Sequence, residues 1–240
     1  MAHSTNDYQQ PIGNALPDWQ PCPRPERIVL QGKFCHLEPL SLNHADALWA
    51  AWNTAKDDRA WTYLSVGPFS DPQQFTAFID TAAQSADPLH YAVIDEPTGK
   101  AVGSLSLMRI DPANGVVEVG FVMYSPLLQR TVQATEAHFL LMKYAFGLGY
   151  RRYEWKCDSL NAPSRQAAIR LGFSYEGLFR QAVVYKQRTR DTAWFSIIDS
   201  EWPTIEQAFE SWLAVENMPG GVQNKSLSQI RESLSHATKE

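Results

Sequence analysis

The stretch from Tyr124 to Phe173 leaves this chain few ways to fold. Ala137, Leu140, Leu141, Tyr144, Ala145 and Leu148 recur at three- and four-residue spacing, which lays them along one face of a helix of about five turns. Gly147 and Gly149 stop that helix. Tyr153, Trp155 and Cys157 then alternate with Arg152, Glu154 and Lys156, the period of two that marks a strand. Asn161 or Ser159 supplies an N-cap oxygen, and Pro163 falls in a first helical turn, where its missing N–H costs little. This second helix runs through Ala167, Ala168 and Ile169 to Gly172. With the strand Val116 to Tyr124 leading in, the result is a βαβα unit whose two strands are able to run parallel. The first helix offers unpaired N–H groups and the positive end of its dipole, so a phosphate-bearing ligand is expected at its N-terminus.

The flanking segments fit around that unit. Residues 1–25 hold five prolines and read as an extended arm, packed along the domain through Ile12, Leu16 and Trp19 or else disordered. Gln31-Gly32 joins two short strands. His44 to Trp52 is a helix by spacing, and Ser70 or Asp71 caps another that begins at Pro72. His90 to Ile94, Ala101 to Ile110 and Val116 to Tyr124 are strands joined by short turns, hence antiparallel. Leu178 to Tyr185 and Thr192 to Ile198 are two more, with Lys186 to Arg190 as their loop. Thr204 to Val215 is helical, and the polar tail carries one weak stripe of Leu227, Ile230 and Leu234. The fold class is therefore α/β of the mixed kind: a mostly antiparallel, twisted sheet with one parallel strand pair and helices on both faces. The expected organisation is an arm (1–25), one domain (26–216) and a tail (217–240).

Composition excludes several functions. A net charge of −5 argues against a nonspecific nucleic-acid binder. The three cysteines, Cys22, Cys35 and Cys157, have no metal-ligand spacing and suit a reducing compartment; nor do the six histidines show metal spacing. No apolar run is long enough to span a membrane, and the N-terminus lacks the blocks of a signal peptide, so a cytoplasmic protein is expected.

Specific residues carry a family resemblance. Gln129-Arg130-Thr131-Val132-Gln133-Ala134-Thr135-Glu136-Ala137 is followed by Asn161, Ser164, Leu171-Gly172-Phe173 and Glu176-Gly177. This series resembles the core motif of the GNAT superfamily of acyl-CoA-dependent N-acyltransferases, in the branch of the ribosomal-protein alanine acetyltransferases. The resemblance extends, more weakly, from about Arg27 to about Trp202. It implies an N-acetyltransferase that uses acetyl-CoA as co-substrate and a primary amine, on a small molecule or a protein N-terminus, as acceptor, by direct attack in a ternary complex. It implies that Gln129, Arg130, Thr131, Val132, Gln133, Ala134 and Thr135 form the pyrophosphate loop, that Phe121, Val122 and Met123 pair with the pantetheine amides, and that Asn161, Ser164 and Arg165 line the same ligand. Monomer and homodimer are both open. Both loop glycines of the family are replaced here, by Arg130 and Val132. The expectation is a turn with ordinary dihedrals, since a β-branched residue resists positive φ.

Two residues are candidates for catalysis. Glu118 is a lone carboxylate in an apolar strand, where alternation puts it with Gly120 and Val122, opposite Val117, Val119 and Phe121. In the resemblance it is a general base; read from residues alone, a structural ion pair is an equal alternative. Gly120 beside it leaves room for a ligand. The usual tyrosine acid of the superfamily is Ala168 here, which leaves Ser164 as the thiolate's proton donor or as a simple capping residue. His138 reads as a core histidine. The competing functions are a coenzyme A-binding domain without turnover and a protein-interaction module.

Overall fold

The computed structural model describes residues 4–237; the ends of the expected arm and tail lie outside the described residues. The arm contains a two-strand hairpin, β1 (Ser4–Thr5) and β2 (Pro11–Ile12). Then follow β3 (Leu30–Gln31), β4 (Cys35–Pro39), α1 (Ala45–Trp52), α2 (Pro72–Gln84), β5 (Leu89–Asp95), β6 (Lys100–Asp111) and β7 (Val116–Tyr124). The second half adds α3 (Val132–Gly147), β8 (Arg152–Asp158), α4 (Ala162–Leu171), β9 (Ser174–Tyr185), β10 (Arg188–Ile198), α5 (Trp202–Leu213) and α6 (Leu227–Ala237). The main sheet has eight strands in the order β3-β4-β5-β6-β7-β8-β10-β9. Only β7 and β8 run parallel; every other neighbouring pair is antiparallel.

Caps fix the helix starts. Asp71 accepts the N–H of Gln73 ahead of α2, Thr131 that of Ala134 in α3, and Asn161 that of Ser164 in α4. Gly172, at φ 108, ends α4 in the left-handed region. One core lies between the sheet and α3, α4, α5 and α6, and holds Val117, Val119, Tyr153, Trp155 and Phe195. A second lies between β5–β7 and the pair α1 and α2, where Trp52, Trp61, Phe75 and Ile79 pack on Ala92, Ile94 and Met123.

Tertiary packing departs from the sequence expectation in three places, and it docks the tail along its weak apolar stripe. Helix α3 is buried on most sides rather than one, because α5 covers its outer face: Phe139 stacks on Phe209 at 5.2 Å. The turn between β9 and β10 is only Lys186-Gln187, at φ 46 and 60, so Arg188 to Arg190 lie in the strand. Two consecutive positive φ values match the twist of a two-residue hairpin. In the arm, Ile12 and Leu16 are exposed; Trp19 Nε1 donates to the Ala113 carbonyl instead, and the Cys22 N–H to that of Pro112. The tail docks: Leu227 and Ile230 are buried, and Arg231 donates to the carbonyls of Ile169 and Arg170 at the end of α4.

Glu136 ties α3 to the sheet edge. Its buried carboxylate accepts the N–H groups of Lys33 (2.8 Å), Phe34 (2.7 Å) and Cys35 (2.8 Å), closing the turn between β3 and β4. A Cβ on Gly32 would sit 2.8 Å from the Glu136 carboxyl carbon, so this turn needs glycine there. Hydrogen bonds to a charged acceptor contribute about 1.5–3 kcal/mol each. Glu136→Ala should therefore cost roughly 3–5 kcal/mol, because the three donors are left partly buried and partnerless. In a chain of this length that is a fall in Tm of about 6–20 °C. Glu136→Gln, which keeps one acceptor oxygen, should lose about half as much. Thermal denaturation of the two variants checks both values.

Candidate active site

The parallel ladder is short. It pairs Val116, Val117, Glu118 and Val119 with Arg152, Tyr153, Glu154 and Trp155, and then stops. Beyond it β7 stays with β6 and β8 with β10, so the strands part and leave a cleft between Gly120–Tyr124 and Lys156–Asp158. A bulge sits at the fork. Ser106 pairs with Gly120, but Ser104 pairs with Met123, so the ladder slips between them; Phe121, at φ 46, carries the kink.

That bulge corrects the expected faces of β7. Val122, not Phe121, packs with Val117 and Val119 in the larger core, and Met123 joins the smaller one. The Phe121 ring turns to His90, 5.2 Å away, on the opposite face. Gly120 does not hold open a ligand space either. A Cβ there would meet Met108 Sδ at 2.2 Å, so Met108 fills that position.

Above the cleft lies the N-terminus of α3. Thr131 caps it, and the first-turn N–H groups of Val132 and Gln133 have no carbonyl partner within the helix. The loop before it does use a left-handed residue, against expectation: Arg130 is at φ 61, and Val132 takes helical dihedrals. The glycine requirement is thus met at Arg130 by an L-residue under mild strain. Side chains here are mostly engaged. Gln129 donates to the Tyr124 carbonyl, Gln133 to Asp95 Oδ1, and Arg170 to Thr135 Oγ1. Ala134 is a buried helix residue whose N–H is spent on the cap.

Helix α4 forms the other wall. Asn161 uses Oδ1 as a cap, and Arg165 donates to the Ser159 carbonyl. Ser164 Oγ accepts the indole N–H of Trp155 at 3.0 Å, and its own O–H has the Cys157 sulfur as a neighbouring acceptor. His138 lies deeper, between the rings of Tyr124 (5.5 Å) and Trp155 (5.1 Å). Burial pushes its pKa down to about 3, so its imidazole is neutral.

Glu118 is not a solitary carboxylate. Its Oε2 lies 2.9 Å from Lys156 Nζ and 3.1 Å from Arg109 Nε, as ion pairs rather than aligned hydrogen bonds. Lys156 also reaches Glu154 Oε2 at 2.7 Å and stands 3.7 Å from the centre of the Trp194 ring. Glu154 continues to Arg152, and Arg152 to Glu176. The side chains of Glu118, Lys156 and Glu154 are 7%, 7% and 9% exposed. Burial raises the Glu118 carboxyl above its ordinary 4.5, against the pull of Lys156 and Arg109. Sequence reasoning allowed an ion pair for Glu118 without naming its partner; Glu154 and Lys156, which alternate with Tyr153, Trp155 and Cys157 along β8, were the available signal. Sequence reasoning also missed His90, whose burial on the Phe121 face lowers its pKa to about 4.

Against this fork, the family model for the GNAT acetyltransferase domain matches residues 35–174. The chain belongs to the GNAT acetyltransferase family. The GNAT fold is further matched by a GCN5-related N-acetyltransferase of Brucella melitensis, 49% identical, with a TM-score of 0.88 over 90% of this chain and 100% of that one. An uncharacterized N-acetyltransferase of Bacillus licheniformis is 28% identical over 69% of this chain and 93% of its own length. A ribosomal-protein-serine acetyltransferase of Escherichia coli (strain K12) is 31% identical over 42% of this chain and 56% of its own. This GNAT protein is thus an acetyltransferase, and GNAT domains use acetyl-CoA as co-substrate. Among its described residues no helix is long and apolar enough to cross a membrane.

The carboxylate pair at the fork generates a stability prediction. Lys156→Met leaves Glu118 facing Glu154 with one shared cation removed, and breaking a buried pair in this way costs about 3–5 kcal/mol. A carboxyl raised by its surroundings contributes stability in full below its unfolded pKa and loses it as pH rises through the folded value. The deficit should therefore be wide at pH 7.5 and narrow at pH 4.5–5. Paired melts of the parent and Lys156→Met at the two pH values test it.

Proposed function

We propose that this acetyltransferase transfers the acetyl group of acetyl-CoA to a primary amine by direct attack in a ternary complex. The observation that carries the reading is the fork: two parallel strands that part after four pairs, with a helix N-terminus above the gap. The pantetheine arm would lie between Gly120–Tyr124 and Lys156–Asp158, with its amides on the free edge of Phe121, Val122 and Met123. The pyrophosphate would sit on the N–H groups that begin α3, which need no particular side chain. We take residues 26–216 as the unit that carries this site, flanked by the arm and the tail.

In the reaction, the amine nitrogen bonds to the thioester carbonyl carbon and the carbon–sulfur bond breaks. A backbone N–H at the bulge would take the charge that builds on the carbonyl oxygen. The ammonium proton must leave before the attack, because an amine with a pKa of about 10.4 is almost wholly protonated at pH 7. Glu118 would receive it through water. Its raised pKa suits that task, and Lys156 and Arg109 hold the carboxylate in place. Ser164 would relay to the departing thiolate the proton that the attacking nitrogen sheds as the amide forms, a role supported by the Trp155 indole already occupying an acceptor site of the same oxygen. One relative's name points to a ribosomal-protein serine as a class of acceptor, which favours a protein N-terminus over a free small amine.

Two experiments follow. Acetyl-CoA at about 100 times its Kd stabilises the folded state by ~2.7 kcal/mol, a rise in Tm of roughly 5–10 °C. Absence of a shift at millimolar acetyl-CoA overturns the reading. For the chemistry, Glu118→Gln should lower kcat/KM by about 10²–10⁴ at neutral pH. That loss should shrink as pH rises and the amine sheds its own proton; a loss independent of pH assigns Glu118 to structure alone. Ser164→Ala should lower kcat with little change in acetyl-CoA affinity.

A further inference from the structure

The hairpin of β9 and β10 carries Arg180, Lys186, Arg188 and Arg190 and no carboxylate between the first and the last. This is a local excess in a chain whose net charge is −5. Among the described residues none of the four forms an ion pair. The donors of the last three go to neutral oxygens instead. Lys186 Nζ reaches the Trp61 carbonyl at 2.8 Å, Arg188 Nη2 the Thr62 carbonyl at 2.6 Å, and Arg190 Nε the Thr192 hydroxyl at 3.1 Å. The nearby carboxylates are otherwise engaged: Asp158 accepts the Tyr185 hydroxyl and the Leu160 N–H, and Asp191 the Gln181 N–H. Arg188 also lowers the pKa of Lys186, after burial, so the two cations repel each other.

These cations stand at the mouth of the cleft. The hairpin tip is bridged to Trp61 and Thr62, and Tyr63 donates to the Leu160 carbonyl. Segments 61–63, 158–160 and 185–188 therefore close a ring around the end of β8. Trp194 is paired with Lys156, level with the fork, and Arg188 lies six residues further along β10. At about 3.3 Å per residue that is roughly 20 Å. A small amine that reacts at the fork does not reach so far. An extended peptide spans the distance with about six residues.

We propose that the acceptor is the α-amine of an acidic peptide, whose carboxylates about four to seven residues from the amine meet Lys186, Arg188 and Arg190 at the cleft mouth. The inference rests on the reading that this site acetylates an amine. Nucleic acids are anionic too, but they offer no aliphatic primary amine. The coenzyme's own phosphates are the other source of negative charge, and the test separates them.

Octapeptides that share their first three residues and carry Glu, Gln or Lys at positions four to seven serve as acceptors, at saturating acetyl-CoA. The Glu peptide should exceed the Gln peptide in kcat/KM by about tenfold at low salt, with the Lys peptide poorest, and the gap should shrink to about twofold at 0.3 M salt. In Lys186→Gln/Arg188→Gln, which keeps a donor for each bridging carbonyl, the low-salt gap should also fall to about twofold. Equal turnover of the Glu and Gln peptides, or a preference that the double variant retains, overturns the proposal. So does a loss of acetyl-CoA affinity of about fivefold or more in that variant, which assigns the cations to the coenzyme. If no peptide is acetylated, labelled peptides are titrated onto the coenzyme A-bound protein. Charge-selective binding that the double variant loses supports this surface while removing the acetyl-transfer reading; unselective or absent binding overturns both. Should the double variant fail to fold, the salt dependence of the parent protein and Arg190→Gln decide the matter.

Discussion

One ammonium group makes the fork of the sheet possible. Glu118 and Glu154 face each other on the last turns of a parallel ladder, in surroundings that strip both of water. With only Arg109 and Arg152 left to offset them, two carboxylates so placed would tend to drive the strands apart or hold a proton between them. Lys156 lies between the two, over the Trp194 ring, and lets the ladder close up to the level of Val119 and Trp155. Past that level no pairing remains between β7 and β8, and the bulge at Phe121 turns the backbone of β7 towards the gap. The helix N-terminus, the cap at Asn161 and the hydroxyl of Ser164 are all placed relative to that opening.

Much of this was legible in the sequence, for a local reason. Alternation along β8, the three- and four-residue spacing in α2 and α5, and the caps at Asp71 and Asn161 each depend on residues a few positions apart. What was not legible depends on partners far away in the chain. The positive φ of Phe121 and Arg130, the exchange of Val122 and Phe121 between faces, and the filling of the Gly120 space by Met108 follow from strand pairing and packing. Glu136 sat in the motif that carried the family resemblance. Its work is on a turn about a hundred residues earlier, which no spacing rule connects to it. The candidate base was found by its oddity as a lone carboxylate, which also raised an ion pair as the equal alternative; its partners Arg109 and Lys156 lie on other strands, and no spacing rule names them.

The two faces of the cleft differ in character. On the α3 side the packing is aromatic, with Arg170 as a cation close by: His138 is uncharged, Trp155 and Tyr124 flank it, and Arg170 bonds Thr135. On the other side charges are dense and chained through Arg109, Glu118, Lys156, Glu154, Arg152 and Glu176. An aromatic wall suits a thioester arm that must shed water, and a charged floor suits an incoming ammonium that must find a place for its proton.

Arg231 gives the tail a mechanical meaning. Its guanidinium grips the last carbonyls of α4, while the first turn of the same helix holds Asn161 and Ser164 beside the cleft. A ten-residue helix is a rod of about 15 Å, so a tilt of a few degrees at the gripped end swings the other by about an ångström. Reactions of this kind lose rate steeply over such a displacement. The polar tail is then a lever arm on α4, and a shift of α6 moves the Asn161 and Ser164 side chains relative to the cleft.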